Sequence, residues 1–154
     1  MPTFLISRFL YMRSHHMMLY MFIGMFIFQY IFMSYIMTDR IENINHSTGK
    51  IYMSIIMGLF MVILDMLIGP MFNAQHFAIV TGLLFLFIYL YKIQFGVDDK
   101  NYLREMIEHH SMALLTSKHI IEKTKNPAVN NLATKILVTQ EKEIADMRYL
   151  LKSI

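Results

Sequence analysis

The sequence predicts an all-α membrane protein in which three hydrophobic helices precede a polar, C-terminal helical hairpin. Three observations predict it. Of the 154 residues, 56% are hydrophobic and only 16% charged, against a soluble norm of about 25% charged. Long uncharged apolar runs recur through the first two thirds of the chain. From Asp98 onward charges come every few residues and the apolar positions fall into a helical period.

No charge interrupts the chain from Met17 to Met37, and a helix needs about 20 residues to cross the hydrocarbon of a bilayer. The run is too long for the core of a signal peptide, and no small-x-small cleavage site follows it, so it is expected to persist as the first span. Thr38 to Lys50 mixes both charges with Asn, Ser and Gly, the composition of a solvated loop. A second span is expected over residues 51–69, ending at Gly69-Pro70, where proline cannot continue a helix. A third is expected over 77–95, with Lys92 snorkelling to the interface and Ile93 to Phe95 extending the apolar stretch. The short link between them makes the second and third spans antiparallel neighbours. Residues 1–95 thus read as a membrane domain.

Residues 97–154 read as the hairpin. Asp98 or Asp99 caps its first helix, which runs to about Lys125 along Tyr102, Leu103, Met106, Ala113, Leu114, Ser117 and Ile121. Asn126-Pro127 breaks it and starts the next, whose stripe is Leu132, Ile136, Ile144, Met147 and Leu151. Arg8 and Arg13 precede the first span without acidic neighbours, whereas Asp39 and Glu42 balance the first loop. This places the N-terminus in the cytoplasm and, after three crossings, the hairpin outside the cell membrane.

The chain has sixteen methionines and no cysteine, which removes disulfides and thiolate metal sites. Its formal net charge of +3 comes from scattered Lys and Arg rather than a cluster, so nucleic acid is not an expected partner. On the first hairpin helix Met106, His109, His110 and Ala113 stand at i, i+3, i+4 and i+7, bringing a thioether and two imidazoles onto neighbouring faces. The facing helix offers Gln140, Glu143 and Met147. An antiparallel turn near Asn126 sets His109 level with Glu143 and Met106 level with Met147. Thioether is soft, imidazole borderline and carboxylate hard, so the set points to copper before zinc or iron. The Glu-x-x-His pairs of di-iron bundles are missing: Glu105 is followed three residues later by Glu108, and Glu108 by Ser111. No zincin, Walker, Gly-x-Ser-x-Gly or dinucleotide motif occurs, and no catalytic nucleophile or enzymatic activity is expected.

Each of these residues has a second reading. Met106 and Met147 also suit an apolar stripe as gap fillers. Of His109 and His110, one can pack at the interface while the other is solvated, and Glu143 can be a solvated helix charge. His46 and His119 read as surface residues, and His15-His16 as an interfacial pair. Asp65 is the one acid in an apolar span, which marks a functional candidate, but it lies close enough to Gly69 to reach the headgroups. Met53, Met57, Met61 and Met66, with Met17, Met18, Met21 and Met25, read either as a thioether track or, more simply, as bilayer packing.

The run from Asp99 through Tyr102-Leu103, Met106-Ile107 and His109-His110 to Ala113, followed by Leu132-Ala133, Gln140, Glu143-Ile144 and Met147, resembles domain of unknown function 305. That motif reads Asp-x-x-Phe/Tyr-Leu-x-x-Met-Ile-Pro-His-His, and Tyr52-Met53 to Met57 looks like the membrane-anchored branch of the family. The resemblance implies a ferritin-like helical domain, often exported, with copper binding or copper resistance in some members and no enzymatic activity. On its motif positions fall Met106, His109, His110, Glu143 and Met147, with Asp99 and Gln140 in support. Glu108 stands where the family has proline, which removes a fixed turn and adds a charge.

A lone hairpin buries little apolar surface, whereas two make a four-helix bundle, so a homodimer is expected. The expected function is binding of copper or a similar soft ion at the outer membrane face, for storage, buffering or hand-over to a metal-handling partner. The competing expectations are a structural or regulatory membrane protein whose hairpin is a docking module, and a transport accessory using Asp65 and the membrane methionines. Imidazole must be neutral to bind metal, so binding should weaken as pH falls below about 6.5.

Overall fold

The computed structural model describes residues 16–69 and 72–154. Arg8, Arg13, His15 and Pro70, which entered the reading of orientation, histidine pairing and helix termination, lie outside the described residues. Among the described residues every regular element is helical. They divide into two compact units, one of residues up to 30 with 51–95 and one of 31–50 with 96–154.

Three helices are long and apolar enough to cross a membrane: α1 (His16–Met37), α2 (Thr48–Ile68) and α3 (Ala74–Lys92). Phe22, Phe26 and Tyr30 stack at i, i+4 spacing along α1. Its turns over Phe28–Phe32 are π-helical, and the chain passes from the first unit to the second within that stretch. On α2 the buried positions Ser54, Gly58, Leu59, Val62, Ile63 and Met66 form one helical face. Gly58 is there for space: a Cβ on it would stand 2.8 Å from the Phe22 ring. Outward-facing side chains such as Phe60, Phe85 and Tyr89 are large and apolar, the surface a helix presents when it is apolar enough to cross a membrane.

Tyr52 at the start of α2 bonds through its hydroxyl to the Phe95 carbonyl at 2.9 Å and packs on Phe87, the arrangement of antiparallel neighbours. Both α2 and α3 start three residues earlier than the apolar runs predict, and α3 stops at Lys92 rather than Phe95. Gln94 (φ 53°) and Gly96 (φ 69°) take left-handed backbone, which turns the chain out of the helix. The Gln94 side chain then donates to the Tyr91 carbonyl at 2.8 Å, satisfying one acceptor that the helix end leaves open.

In the second unit α4 (Asp99–Lys123) and α5 (Pro127–Ser153) form the hairpin. Asp98 is the cap of α4, accepting from the Asn101 backbone N–H at 2.7 Å, and that bond holds its carboxyl below the ordinary value. Asn126 caps α5 from the Ala128 N–H at 2.9 Å, with Pro127 in the first turn. Ile107, Leu114 and Ile144 make the core, bordered by Leu137, Met147 and Leu151. Two expected core positions are not in it: Tyr102 is 53% and Leu132 59% exposed. Each sits on the flank of its helix, a turn's fraction away from the face that meets the other helix.

The segment over residues 38–50 is not a solvated loop. Thr38, Asn43 and Ser47 are buried, and the segment packs on α4 and α5 as a strap. Its donors and acceptors meet side chains of the hairpin instead of water, which is why a polar composition is compatible with burial here.

Candidate functional site

His110 is half-buried on the α5-facing side of α4, and both of its ring nitrogens are engaged. Nδ1 lies 2.7 Å from the Met106 carbonyl one turn back. A carbonyl only accepts, so Nδ1 is the protonated nitrogen of that pair. Nε2 lies 2.9 Å from Glu143 Oε2 on α5; a carboxylate oxygen only accepts as well, so this contact is a hydrogen bond only with a second proton on Nε2, which a bound metal ion would replace. The hairpin therefore brings an imidazole and a carboxylate together, and a backbone bond orients the ring. A carbonyl bonded to the far nitrogen is also what fixes the tautomer of many metal-binding histidines.

The other predicted residues are placed less uniformly. His109, one residue away and so about a quarter-turn round the helix, is exposed. It is His110, not His109, that meets Glu143. Met106 is half-buried, and Met147 packs against the Ile107, Leu114 and Ile144 core. Gln140 is half-buried at the same face, while Asp99 is exposed in the first turn of α4. Asp65 is half-buried one turn before Gly69, whose N–H donates to the Asp65 carbonyl at 2.8 Å. Among the described residues no group of three or more His, Asp or Glu is placed to hold a metal ion.

A second polar centre lies on the opposite flank of α4, and sequence reasoning missed it. The Glu108 carboxylate, 7% exposed, accepts from the Ser34 hydroxyl near the end of α1. It also accepts from the Asn45 backbone N–H at 3.1 Å and from Lys50 Nζ at 3.3 Å. One turn on, the Ser111 hydroxyl accepts from the Asp39 N–H and the Asn43 side-chain amide, both at 3.0 Å. Asp39 pairs with Lys118 at 2.6 Å, and Asn43 accepts from Arg148 of α5 at 2.7 Å. Glu105 is half-buried under Gly49, where a Cβ would fall 1.9 Å from its carboxylate. Burial pushes the Glu105 carboxyl up from its ordinary value, helped by the Glu108 charge and opposed by His109.

The family described as Domain of unknown function (DUF305) matches residues 90–154, the stretch that carries both the His110–Glu143 pair and Glu108. The chain belongs to this family. The chain is also similar to an uncharacterized protein of Acanthamoeba polyphaga mimivirus, 30% identical over 141 residues, covering 90% of this chain and 93% of the relative. Its likeness therefore extends through the three long apolar helices. No solved structure matches the chain.

Within the DUF305 hairpin, Glu108 occupies the position at which the family motif has proline. α4 runs unbroken through Glu108, from Asp99 to Lys123. The added charge is matched by Ser34, Asn45 and Lys50 of the strap. The strap and the departure from the motif thus form one structural unit.

Proposed function

We propose that this DUF305 chain is a membrane-anchored protein that binds a soft metal ion, copper before others, on its hairpin. The observation that carries the reading is the orientation of His110, whose Nδ1 is tied to the Met106 carbonyl so that Nε2 faces Glu143. The residues fit copper in part: an imidazole and a carboxylate are in contact, and Met106 and Met147, one turn from His110 and Glu143 on the same helices, offer soft thioether sulfur. His110, Glu143, Met106 and Met147 would hold the ion, with His109, exposed beside them, as the ligand available to a second chain. Copper so bound would be stored, buffered or handed to a partner. The chain's part is to present Nε2 in a fixed orientation, with no step that makes or breaks a covalent bond.

Placement of the hairpin outside the cell membrane is part of the proposal. Residues 38–50 and 97–154 pack in one unit, and the chain between them runs out along α2 and back along α3. Two crossings would return it to the same side, which supports setting loop and hairpin together. A homodimer in which two hairpins make a four-helix bundle is also proposed, because the strap occupies only one side of α4 and α5.

The test is a Cu(I) competition titration on detergent-purified protein, beside His110→Ala, Glu143→Gln and Met106→Ala, with helicity followed in parallel. Wild type should bind tightly, and the variants should lose about tenfold or more in affinity while staying helical. Equal binding by a folded His110→Ala variant would refute the site.

A docking module is the second reading, favoured by one observation: Tyr102, Ile120, Leu132 and Leu150 are large, apolar and exposed on the hairpin. Under it, His110–Glu143 is a tie between helices, and replacing His110 should cost folding or association rather than metal.

A further inference from the structure

We propose that the cleft between the Arg40–Asn43 segment and α5 binds a phosphate group with an ammonium beside it, as in the headgroup of an aminophospholipid. This goes beyond the metal reading and does not depend on it. The cleft has a volume of about 290 Å³, with Leu114 and Ile144 among its lining residues and with Arg40, Arg148 and Glu141 as its charged groups. Arg148 is set in place from behind: fully buried Ser111 accepts from the Asn43 amide at 3.0 Å, and Asn43, also buried, accepts from the Arg148 guanidinium at 2.7 Å. Such a chain of buried partners positions a guanidinium; it does not merely let it rest on a surface.

One carboxylate bridges the two arginines. Glu42 lies 3.3 Å from Arg148 and 3.6 Å from Arg40, and its side chain is 58% exposed. Asp39, the other acid near Arg40 at 3.6 Å, is held by Lys118 at 2.6 Å. A phosphodiester has the same charge as Glu42 and more acceptor oxygens, in a geometry that matches two guanidinium forks. Exposed ion pairs are cheaply broken, so Glu42 is a placeholder that a phosphate displaces. Glu141 lines the same cleft and supplies the negative partner that an ammonium needs.

Position selects the source. Arg40 follows by three residues the end of α1 at Met37, and α1 is long and apolar enough to cross a membrane. Tyr35, Ile36 and Ile41 are all more than half exposed around it, an apolar surface suited to acyl chains. Free phosphate has the anion but neither the ammonium nor the chains.

The experiment measures binding of short-chain phosphatidylethanolamine, short-chain phosphatidylglycerol and inorganic phosphate to the full chain in detergent by native mass spectrometry. Wild type, Arg40→Gln and Glu141→Gln are compared. Arg40→Gln leaves the Arg148–Asn43 bond in place, so its helicity and melting should match wild type. Phosphatidylethanolamine should bind wild type saturably, and Arg40→Gln should weaken it about tenfold. Glu141→Gln should remove the preference over phosphatidylglycerol. Absence of saturable lipid binding, or equal affinity in Arg40→Gln, overturns the site. Inorganic phosphate that competes at the same concentration as the lipid keeps the two arginines as a phosphate site and overturns the lipid as its source.

Discussion

Glu108 ties the strap to the hairpin in the second unit. Its carboxylate is buried, and so is the ammonium of Lys50 opposite, at 9% and 11% side-chain exposure. Removing one partner of such a pair strands the other charge, which typically costs about 3–5 kcal/mol. Glu108→Ala should therefore lower the melting temperature of the purified protein sharply, with Glu108→Gln affected less because it keeps acceptors for Ser34 and Asn45. A melt unchanged by Glu108→Ala would show that the strap is not held there. Glu105 behaves in the opposite sense. Its folded carboxyl titrates above the unfolded value because burial disfavours the charge, so the folded state holds its proton more tightly. Its contribution to stability is fully present below the ordinary carboxylate range and is lost as pH rises through the raised value. Glu105→Gln should consequently raise the melting temperature at neutral pH and leave it nearly unchanged near pH 4; thermal melts at the two pH values check this. Glu108 stood out in the sequence as a departure from the family motif, but nothing adjacent to it could show that Ser34, Asn45 and Lys50 are its partners.

At the scale of elements, helix boundaries with chemical punctuation were legible and the strap was not. Asp98 and Asn126-Pro127 act through residues within a turn of themselves, so local sequence places the second cap and narrows the first to Asp98 or Asp99, between which the structure chooses Asp98. Residues 38–50 carry the same Asn, Ser and charged residues as a solvated loop, and only their pairing with α4 and α5 distinguishes cover from loop. The end of α3 was missed for a related reason: apolar Ile93 and Phe95 favour the span, while the left-handed backbone at Gln94 ends it. Contacts between the long apolar helices are equally non-local. Gly58 lies against the Phe22 ring and 3.2 Å, measured from its would-be Cβ, from the Phe22 carbonyl, so an added methyl must push α1 away. Gly58→Ala should destabilise the membrane helices by about 1–3 kcal/mol, and Gly24→Ala, where a Cβ meets nothing within 4 Å, should not. Unfolding in detergent followed by helicity compares the two, and equal behaviour would dismiss the α1–α2 contact as a packing constraint.

For the whole molecule, the strap covers one flank of the hairpin and leaves another exposed. Strap residues engage Glu108, Ser111 and Arg148, and the flank with exposed Leu132 lies outside that set. If two hairpins pair, Leu132→Glu should shift detergent-solubilised protein from dimer to monomer by light scattering without loss of helicity, whereas Val138→Glu, as exposed as Leu132 but about 240° round the helix from it, should leave its mass unchanged. A monomeric wild type would remove the four-helix bundle from the proposal. By itself the sequence determined the all-helical class, the three apolar helices, the hairpin and its membership of the DUF305 family, because length, periodicity and caps are properties of contiguous residues. Only the tertiary structure decided that His110 rather than His109 meets Glu143, since one residue of helix rotates a side chain by about 100°. The tertiary structure likewise revealed Glu108 as a buried anchor, because its charge is tolerable only where donors from residues far away in the chain converge on it.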